Sequence, residues 1–156
     1  MAQAQKQVRI IEPLERFVNR INLVGCYARV SSDSEDQLNS YNNQVDFYES
    51  YVNSLENSKL VKIYTDEGIT GTRMDKRDGF LQMIEDCRKG LINRIITKSI
   101  SRFARNITET LSVVRELKSI GVSVYFMTEK IDTAKMGSEM MLAVYAACAE
   151  IESKAI

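Results

Sequence analysis

A serine and an arginine two residues apart are the first candidates for chemistry in this chain of 156 residues. They lie in the segment YARVSS, at the end of an apolar, β-rich run that predicts a buried strand. Side chains on a strand alternate between its faces, so Arg29 and Ser31 are predicted to share a face with Tyr27. That arrangement places a hydroxyl beside a guanidinium. The alternative is that Ser31 and Ser32 begin a turn or cap the next helix.

A second candidate is the segment SRFAR, which carries two arginines three residues apart. On a turn of helix, Arg102 and Arg105 would face the same way. Guanidinium groups form planar forks that match phosphate oxygens, so the pair predicts an anion site. The alternative is a solvated surface pair with Glu109 or Asp78.

An acidic, glycine-containing loop over residues 66–71 is the third candidate. A carboxylate such as Asp66 at the end of a strand can hold Mg²⁺ or receive a phosphoryl group, as in receiver domains. A receiver also needs two acids directly after its first strand and a lysine after a late strand. Residues 33–36 come late for the acids, Lys130 follows the fourth strand, and no phosphate-binding P-loop motif is present.

Composition restricts the chemistry further. The chain has no histidine, which excludes a Ser-His-Asp triad, a Cys-His pair and any metal held by histidine. Its three cysteines are 61 residues apart each time, which is no metal or disulfide spacing. The net charge is zero, yet residues 71–105 carry nine basic and four acidic side chains. A local anion site in this basic third is compatible with the overall balance.

Strands alternate with helices along most of the chain. The predicted strands cover residues 23–30, 59–66, 93–99 and 122–128. Helical spacing predicts helices over residues 34–55, 80–91 and 107–117, the last two closed by Gly90 and Gly121, and a final helix from about Ser138. This order is typical of an α/β domain on a mostly parallel sheet, which binds ligands beyond the carboxyl ends of its strands. The three candidate segments all follow predicted strands.

Several segments, in order, resemble the catalytic domain of the serine recombinases, the family of resolvases, invertases and large integrases and transposases. GCYARVSSDSEDQ resembles the family's opening signature, in which the serine after Tyr-x-Arg-Val is the nucleophile. The other matching segments are NNQVDFY with Gln44, YTDEGITGT with Asp66, KRDGF with Arg77, SRFARN with Arg102 and Arg105, and AEIES near the end. Ser101 stands where small resolvases have an aspartate, and the long start and EGITGT loop are more like the large serine recombinases.

The resemblance implies a fold and a reaction. Residues 22–156 would form a three-layer, resolvase-like α/β domain with four to five mostly parallel strands, after an N-terminal extension over residues 1–21. The reaction would cleave and rejoin DNA through a covalent 5′-phosphoserine, without metal or other cofactor. Ser31 would attack. The residues that would hold and orient the phosphate are Arg29, Arg77, Arg102, Arg105 and Gln44. Asp66, an arginine or water would take the proton from Ser31.

The resemblance also implies partners. DNA would bind through the full-length protein, of which this chain is expected to be a catalytic fragment acting in the bacterial cytoplasm on the nucleoid, away from membranes. The last helix, near Ser138 to Ile156, contains ten consecutive apolar residues over 140–149. A helix that is apolar all round must be covered on more than one side, so it predicts self-association as dimer or tetramer. A receiver-like protein and a non-catalytic α/β dimerisation module remain the alternatives.

Overall fold

The computed structural model describes residues 20–31, 34–68, 77–135 and 137, with residues 31, 34–40 and 68 described by their backbone alone. Over these ranges the chain alternates between strands and helices, as the periodicity predicts. The strands are β1 (Asn22–Ser31), β2 (Ser58–Gly68), β3 (Arg94–Thr97), β4 (Ser123–Phe126) and β5 (Ile131–Asp132). The helices are α1 (Ser34–Asn53), α2 (Asp78–Arg88), α3 (Ile100–Phe103) and α4 (Ile107–Ser119).

The strands form one sheet in the order β2-β1-β3-β4-β5. Strands β1 to β4 run parallel to their neighbours, and β5 runs antiparallel beside β4. The prediction of a mostly parallel sheet of four to five strands is therefore confirmed. Because parallel strands end at the same edge, the segments after β1, β2 and β3 gather there. The register of β1 on β2 pairs Arg29 with Asp66 and Ser31 with Gly68.

Helices cover both faces of the sheet, which makes it the middle of three layers. Helix α1 packs Tyr48 against Val24, Cys26 and Ala28 of β1. The opposite face carries a larger cluster, formed by Tyr27 of β1 with apolar side chains of α2, α3 and α4. Strand alternation explains the division, because even-numbered residues of β1 point towards α1 and Tyr27 points away from it. The predicted alternation is confirmed over this part of the strand.

Glycines close two of the helices at the predicted positions. Gly90 follows α2 with a φ of 77°, and Gly121 follows α4 with a φ of 80°. This left-handed conformation lets the chain leave a helix, and glycine adopts it without a steric penalty. Both reversals return the chain to the amino end of the next strand, β3 or β4.

Four predicted features lie wholly or partly outside the described residues. They are the N-terminal extension as far as residue 19, Ser32, the EGITGT loop from residue 69 onwards, and the interface helix from Ser138 to Ile156. Among the helices that the structure does describe, none is both long enough and apolar enough to cross a bilayer.

Candidate active site at the carboxyl edge of the sheet

The end of β1 is anchored from both sides through the carbonyl group of Tyr27. This oxygen accepts a hydrogen bond from the Thr97 hydroxyl of β3 at 3.2 Å and another from the Tyr48 hydroxyl of α1 at 3.1 Å. All three residues are buried. The backbone that leads to Arg29 and Ser31 is therefore held by β3 and by α1. Such support keeps the residues of a functional site in a fixed position.

Arg102 lies over the same strand end. Its Nη1 donates a hydrogen bond of 3.0 Å to the carbonyl oxygen of Arg29, two residues before Ser31. The segment that carries Arg102 is itself held, because the Glu129 carboxylate accepts hydrogen bonds from the backbone nitrogen of Ile100 at 3.2 and 3.3 Å. Arg102 is exposed. Its guanidinium thus sits at the mouth of the sheet with donors directed to solvent or to a ligand.

The helical spacing predicted for Arg102 and Arg105 is wrong. Helix α3 ends at Phe103, and Ala104 is extended with φ −141° and ψ 160°. The two arginines are therefore not on one turn of helix. Because Ala104 is extended, α4 is a separate helix that begins at Ile107. The side chain of Asn106 caps it by accepting from the backbone nitrogen of Glu109 at 2.8 Å.

Asp66, at the end of β2, is buried and bonded inside the protein. It is 8% exposed, and its carboxylate accepts hydrogen bonds from the Tyr27 hydroxyl at 2.7 Å and from the backbone nitrogens of Gly79 and Phe80 at 2.7 and 2.9 Å. Burial, together with the hydrogen bond to Asp66, raises the pKa of Tyr27 above its ordinary value. Asp66 therefore ties β1 and β2 to the first turn of α2.

Gly79 makes this attachment possible. A Cβ atom at this position would lie 2.4 Å from the carbonyl oxygen of Thr65 and 2.9 Å from a carboxylate oxygen of Asp66. Only a residue without a side chain lets the start of α2 approach the end of β2 this closely. The glycine in KRDGF is thus required by packing, and it fixes the position of Arg77, two residues earlier.

Arg77 is buried beneath the edge of the sheet. Its guanidinium carbon lies 3.9 Å from the ring centre of Phe80 and 5.8 Å from that of Tyr27. Nη1 donates to the Glu109 carboxylate at 3.1 Å, and Nη2 donates to the carbonyl oxygen of Phe103. The third nitrogen, Nε, is buried without a hydrogen-bond partner within the part of the chain that the structure describes. Arg77 is therefore oriented by its surroundings while its Nε–H stays without an acceptor among the described residues.

Glu109 is the functional candidate that sequence reasoning missed. One carboxylate oxygen pairs with Arg77, and the other accepts from the backbone nitrogen of Arg105 at 3.0 Å. From the sequence, Glu109 is expected only as a surface partner of Arg102 and Arg105. The signal that could have found it is Asn106 followed three residues later by Glu109, a capping pattern at the first turn of a helix.

Gln44 lies on α1, one helical turn before Tyr48. It is half-buried, and the hydroxyl of Tyr48 contacts the carbonyl of Tyr27. Residues four apart on a helix share a face, so Gln44 is placed towards the carboxyl edge of the sheet.

The thiols in the described part of the chain do not compete for a catalytic role. Cys26 and Cys87 are buried, and burial raises the pKa of each thiol to about 12. A thiol with so high a pKa carries almost no thiolate at neutral pH, and the thiolate is the reactive form.

The structure thus brings the predicted residues together in two groups. Arg102 contacts the backbone of Arg29 at the strand end that Ser31 completes. Arg77, Glu109 and the backbone of Arg105 form the second group. Asp66 supports the second group through the first turn of α2, since it accepts from the two backbone nitrogens that follow Arg77 and Asp78.

Comparison with known proteins gives consistent matches. The family model for the resolvase N-terminal domain matches residues 24–156. The Tn552 transposon resolvase of Staphylococcus aureus is 30% identical over 138 residues, covering 83% of this chain and 59% of the relative. The Tn552 DNA-invertase BinR, also of Staphylococcus aureus, is 30% identical with 83% and 61% covered. This chain therefore spans about three fifths of the length of these two relatives.

Solved structures match over most of the chain. A resolvase-family site-specific recombinase from Streptococcus pneumoniae has a TM-score of 0.65 and 28% identity, covering 85% of this chain and 89% of that one. The N-terminal catalytic domain of TP901-1 integrase has a TM-score of 0.63 and 23% identity, with 85% and 98% covered. The second likeness shows a shared fold.

Proposed function

The chain belongs to the resolvase family of serine recombinases, and from this premise we propose that residues 22–156 form the catalytic domain of a site-specific DNA recombinase. The proposed reaction breaks and rejoins DNA in the integration, excision or transposition of a mobile element. Ser31 attacks a DNA phosphodiester, forms a 5′-phosphoserine bond and releases the deoxyribose 3′-oxygen.

The observation that carries the proposal is the hydrogen bond from Arg102 to the carbonyl oxygen of Arg29. It brings the segment after β3 onto the end of β1, which is the strand that ends at Ser31. Two guanidinium-bearing residues and a serine backbone thus meet at the edge where parallel sheets bind ligands. Guanidinium forks match the oxygens of a phosphodiester, and they carry charge where negative charge accumulates during in-line attack.

The four arginines have two kinds of proposed role. Arg29, Arg102 and Arg105 stand at the surface or half-buried, where they can reach a DNA phosphate directly. Arg77 lies deeper and supplies a fixed positive charge from below. Catalysis of this type depends on positioning and electrostatic stabilisation, which arginines provide without a bound metal ion. Gln44, beside the end of β1, orients the phosphate or the serine.

We assign Asp66 a positioning role. Its carboxylate already accepts three hydrogen bonds and is 8% exposed, so little of it is available to a proton from Ser31. What it does instead is hold the first turn of α2, and with it Arg77. This favours an arginine or a water molecule as the group that receives the proton.

DNA and a second copy of the chain are the proposed partners. DNA contacts the arginine-bearing edge of the sheet in the full-length protein, and the helix near Ser138 to Ile156 joins subunits as dimer or tetramer. The relatives in Staphylococcus aureus support action in the bacterial cytoplasm, on the nucleoid.

The test is to incubate the full-length protein with DNA from the organism that encodes it, denature the mixture with SDS, and look for a covalent protein–DNA complex. Ser31→Ala is expected to abolish the complex, and Ser32→Ala is the matched control that retains it. Complex formation should continue in EDTA. If only Ser32→Ala abolishes the complex, the assignment of Ser31 is wrong. If Mg²⁺ is required and label appears on an aspartate, the receiver-like alternative is correct. If no complex forms under any condition, a non-catalytic dimerisation module is favoured.

A further inference from the structure

Arg77 does not present a free fork in this structure. Nη1 is bonded to the Glu109 carboxylate and Nη2 to the carbonyl oxygen of Phe103, while the side chain is 9% exposed. Its Nε has no partner among the described residues, although it is buried. Buried donors are nearly always bonded in folded proteins, so the present arrangement leaves Arg77 incompletely satisfied. An additional acceptor is what the site lacks.

Glu109 is the more exposed partner of Arg77. Its side chain is 35% exposed, against 9% for Arg77, so the carboxylate is the accessible half of the ion pair. One of its oxygens bonds to Arg77 and the other to the backbone nitrogen of Arg105. The carboxylate thus spans a buried cation and a backbone donor of the motif that carries the outer arginines. A phosphate group uses the same kinds of donor.

We propose that the Glu109 carboxylate occupies a phosphate-binding subsite, and that a DNA phosphate displaces it and takes over its bonds to Arg77 and the Arg105 backbone nitrogen. This inference rests on the proposed function. Carboxylate and phosphodiester are both anionic and both accept bidentately from a guanidinium. A phosphate offers more acceptor oxygens than a carboxylate, and Nε of Arg77 is a donor without a partner among the described residues. Glu109 is then a positioning residue that keeps Arg77 oriented until DNA arrives.

Displacement of Glu109 by phosphate would have two effects that an ordinary structural ion pair would not show. Removing its charge while keeping its shape should ease the entry of phosphate, because the competitor is weakened. The Arg77 side chain and the Arg105 backbone nitrogen should also respond together, since one carboxylate holds both. A purely structural carboxylate would be displaced by neither phosphate nor a phosphodiester.

The experiment is a ¹⁵N NMR titration of the 156-residue chain with inorganic phosphate and, separately, with the thymidine dinucleotide TpT. The signals followed are Nε–H of Arg77, assigned with Arg77→Lys, and the amide of Arg105. In the unmodified chain both should move with one midpoint concentration. Glu109→Gln should lower that midpoint roughly tenfold, the size expected when a charge-assisted hydrogen bond to the competitor is lost.

Glu116→Gln is the matched control, because Glu116 lies on the same helix and pairs with an exposed arginine, Arg88, at 2.6 Å. It removes the same charge at a distance from Arg77 and should leave the midpoint within about twofold, as exposed ion pairs contribute little. Equal midpoints for Glu109→Gln and Glu116→Gln would overturn the proposal. So would movement of the Arg77 signal while the Arg105 amide stays fixed, or exchange with inorganic phosphate alone and not with TpT.

If Glu109→Gln does not fold, the unmodified chain still tests the proposal. The Arg77 Nε–H and Arg105 amide signals must move together in its titration, and the proposal is wrong if they do not. Failure of the proposed function has a different signature. If phosphate and TpT displace Glu109 but the full-length protein forms no adduct at Ser31, the subsite stands and the recombinase assignment falls.

Discussion

Two arginines at opposite ends of the sheet, one partly buried and one buried, show what distinguishes a structural charge from a functional one. Arg94, at the start of β3, donates to both carboxylate oxygens of Asp132 at 2.9 and 2.8 Å and to the Ser123 hydroxyl at 2.8 Å. Arg77, at the carboxyl edge, makes one bond to Glu109 and one to a carbonyl, and leaves Nε without a partner among the described residues. The guanidinium of Arg94 therefore binds both oxygens of one carboxylate. The guanidinium of Arg77 binds only one carboxylate oxygen.

The carboxylates differ in the same sense. The side chains of Asp132 and Arg94 are 15% and 17% exposed, so the pair is buried nearly evenly on both sides. Glu109 is 35% exposed against 9% for Arg77, which makes it the accessible half of its pair. A pair in which both partners are mostly covered and fully bonded to each other serves the fold. A pair with one accessible partner can be exchanged for a ligand.

The largest expected difference between the two regions is in catalysis. Arg102→Lys keeps the positive charge but loses the planar fork, and Arg102 is exposed, so the fold should remain intact. The rate of covalent complex formation is expected to fall by about 10²–10³, the loss found when one stabilising donor is removed from a transition state. The measurement is single-turnover cleavage by the full-length protein, with thermal unfolding as the check on folding.

Arg88→Lys is the control for this prediction, since Arg88 is half exposed and pairs with Glu116 away from the edge of the sheet. It should cleave at the unmodified rate. Cleavage by Arg102→Lys at that rate would place Arg102 among solvated surface residues. Arg105→Lys is expected to behave like Arg102→Lys, although the two residues do not share a helical turn.

At the other end of the sheet the expected effect is on stability. Asp132→Asn leaves the partly buried Arg94 without its counter-charge and should lower the free energy of unfolding by about 2 kcal/mol, between the values for exposed and buried pairs. Urea unfolding of the chain measures this directly. Single-turnover cleavage under conditions where the variant is folded should be unchanged. A variant as stable as the unmodified chain would show that the pair contributes little.

A smaller effect is expected in the pH dependence of the free energy of unfolding, through Asp132. Burial alone would raise the pKa of Asp132, but hydrogen bonds from Arg94 and the backbone of Ala134 bring the net pKa below its ordinary value of 3.8. A carboxyl whose pKa is lowered by folding stabilises the fold above the unfolded-state pKa, and that stability is lost as the pH falls through the folded-state pKa. The difference in stability between the unmodified chain and Asp132→Asn should therefore be largest near neutral pH and shrink below about pH 4.

Unfolding in urea at pH 7 and pH 3 tests this expectation, with the difference between the two proteins as the quantity compared. Other lowered carboxyls, such as Asp86 beside the Tyr64 hydroxyl, affect both proteins equally and cancel. A difference that grows towards pH 3 would mean that Asp132 is not the ionised partner of Arg94.

Periodicity predicted the architecture well, because the longer helices bury one face at helical spacing and the central strands appear as short continuous apolar runs. The same local signals located Gly90 and Gly121 at the helix ends. They did not locate β5, which has two residues and is too short to show a pattern. They also misled at Arg102 and Arg105, since nothing in the local spacing shows that Ala104 is extended.

The candidate site was predicted by residue type and by family resemblance more than by geometry. The contact of Arg77 with Glu109 joins residues 32 positions apart, and that of Arg102 with Arg29 spans 73. Such contacts depend on how the segments after β2 and β3 fold over the sheet, which one sequence does not show. The unused Nε of Arg77 is likewise visible only when the surrounding atoms are in place.

Mass-spectrometric mapping of the amino acid joined to DNA in the denatured complex of the full-length protein decides whether Ser31 is the nucleophile. We expect a nucleotide remnant attached through a phosphoester to Ser31, at the end of β1. Attachment to Ser32, to Asp66 or to any other residue would contradict the assignment of Ser31.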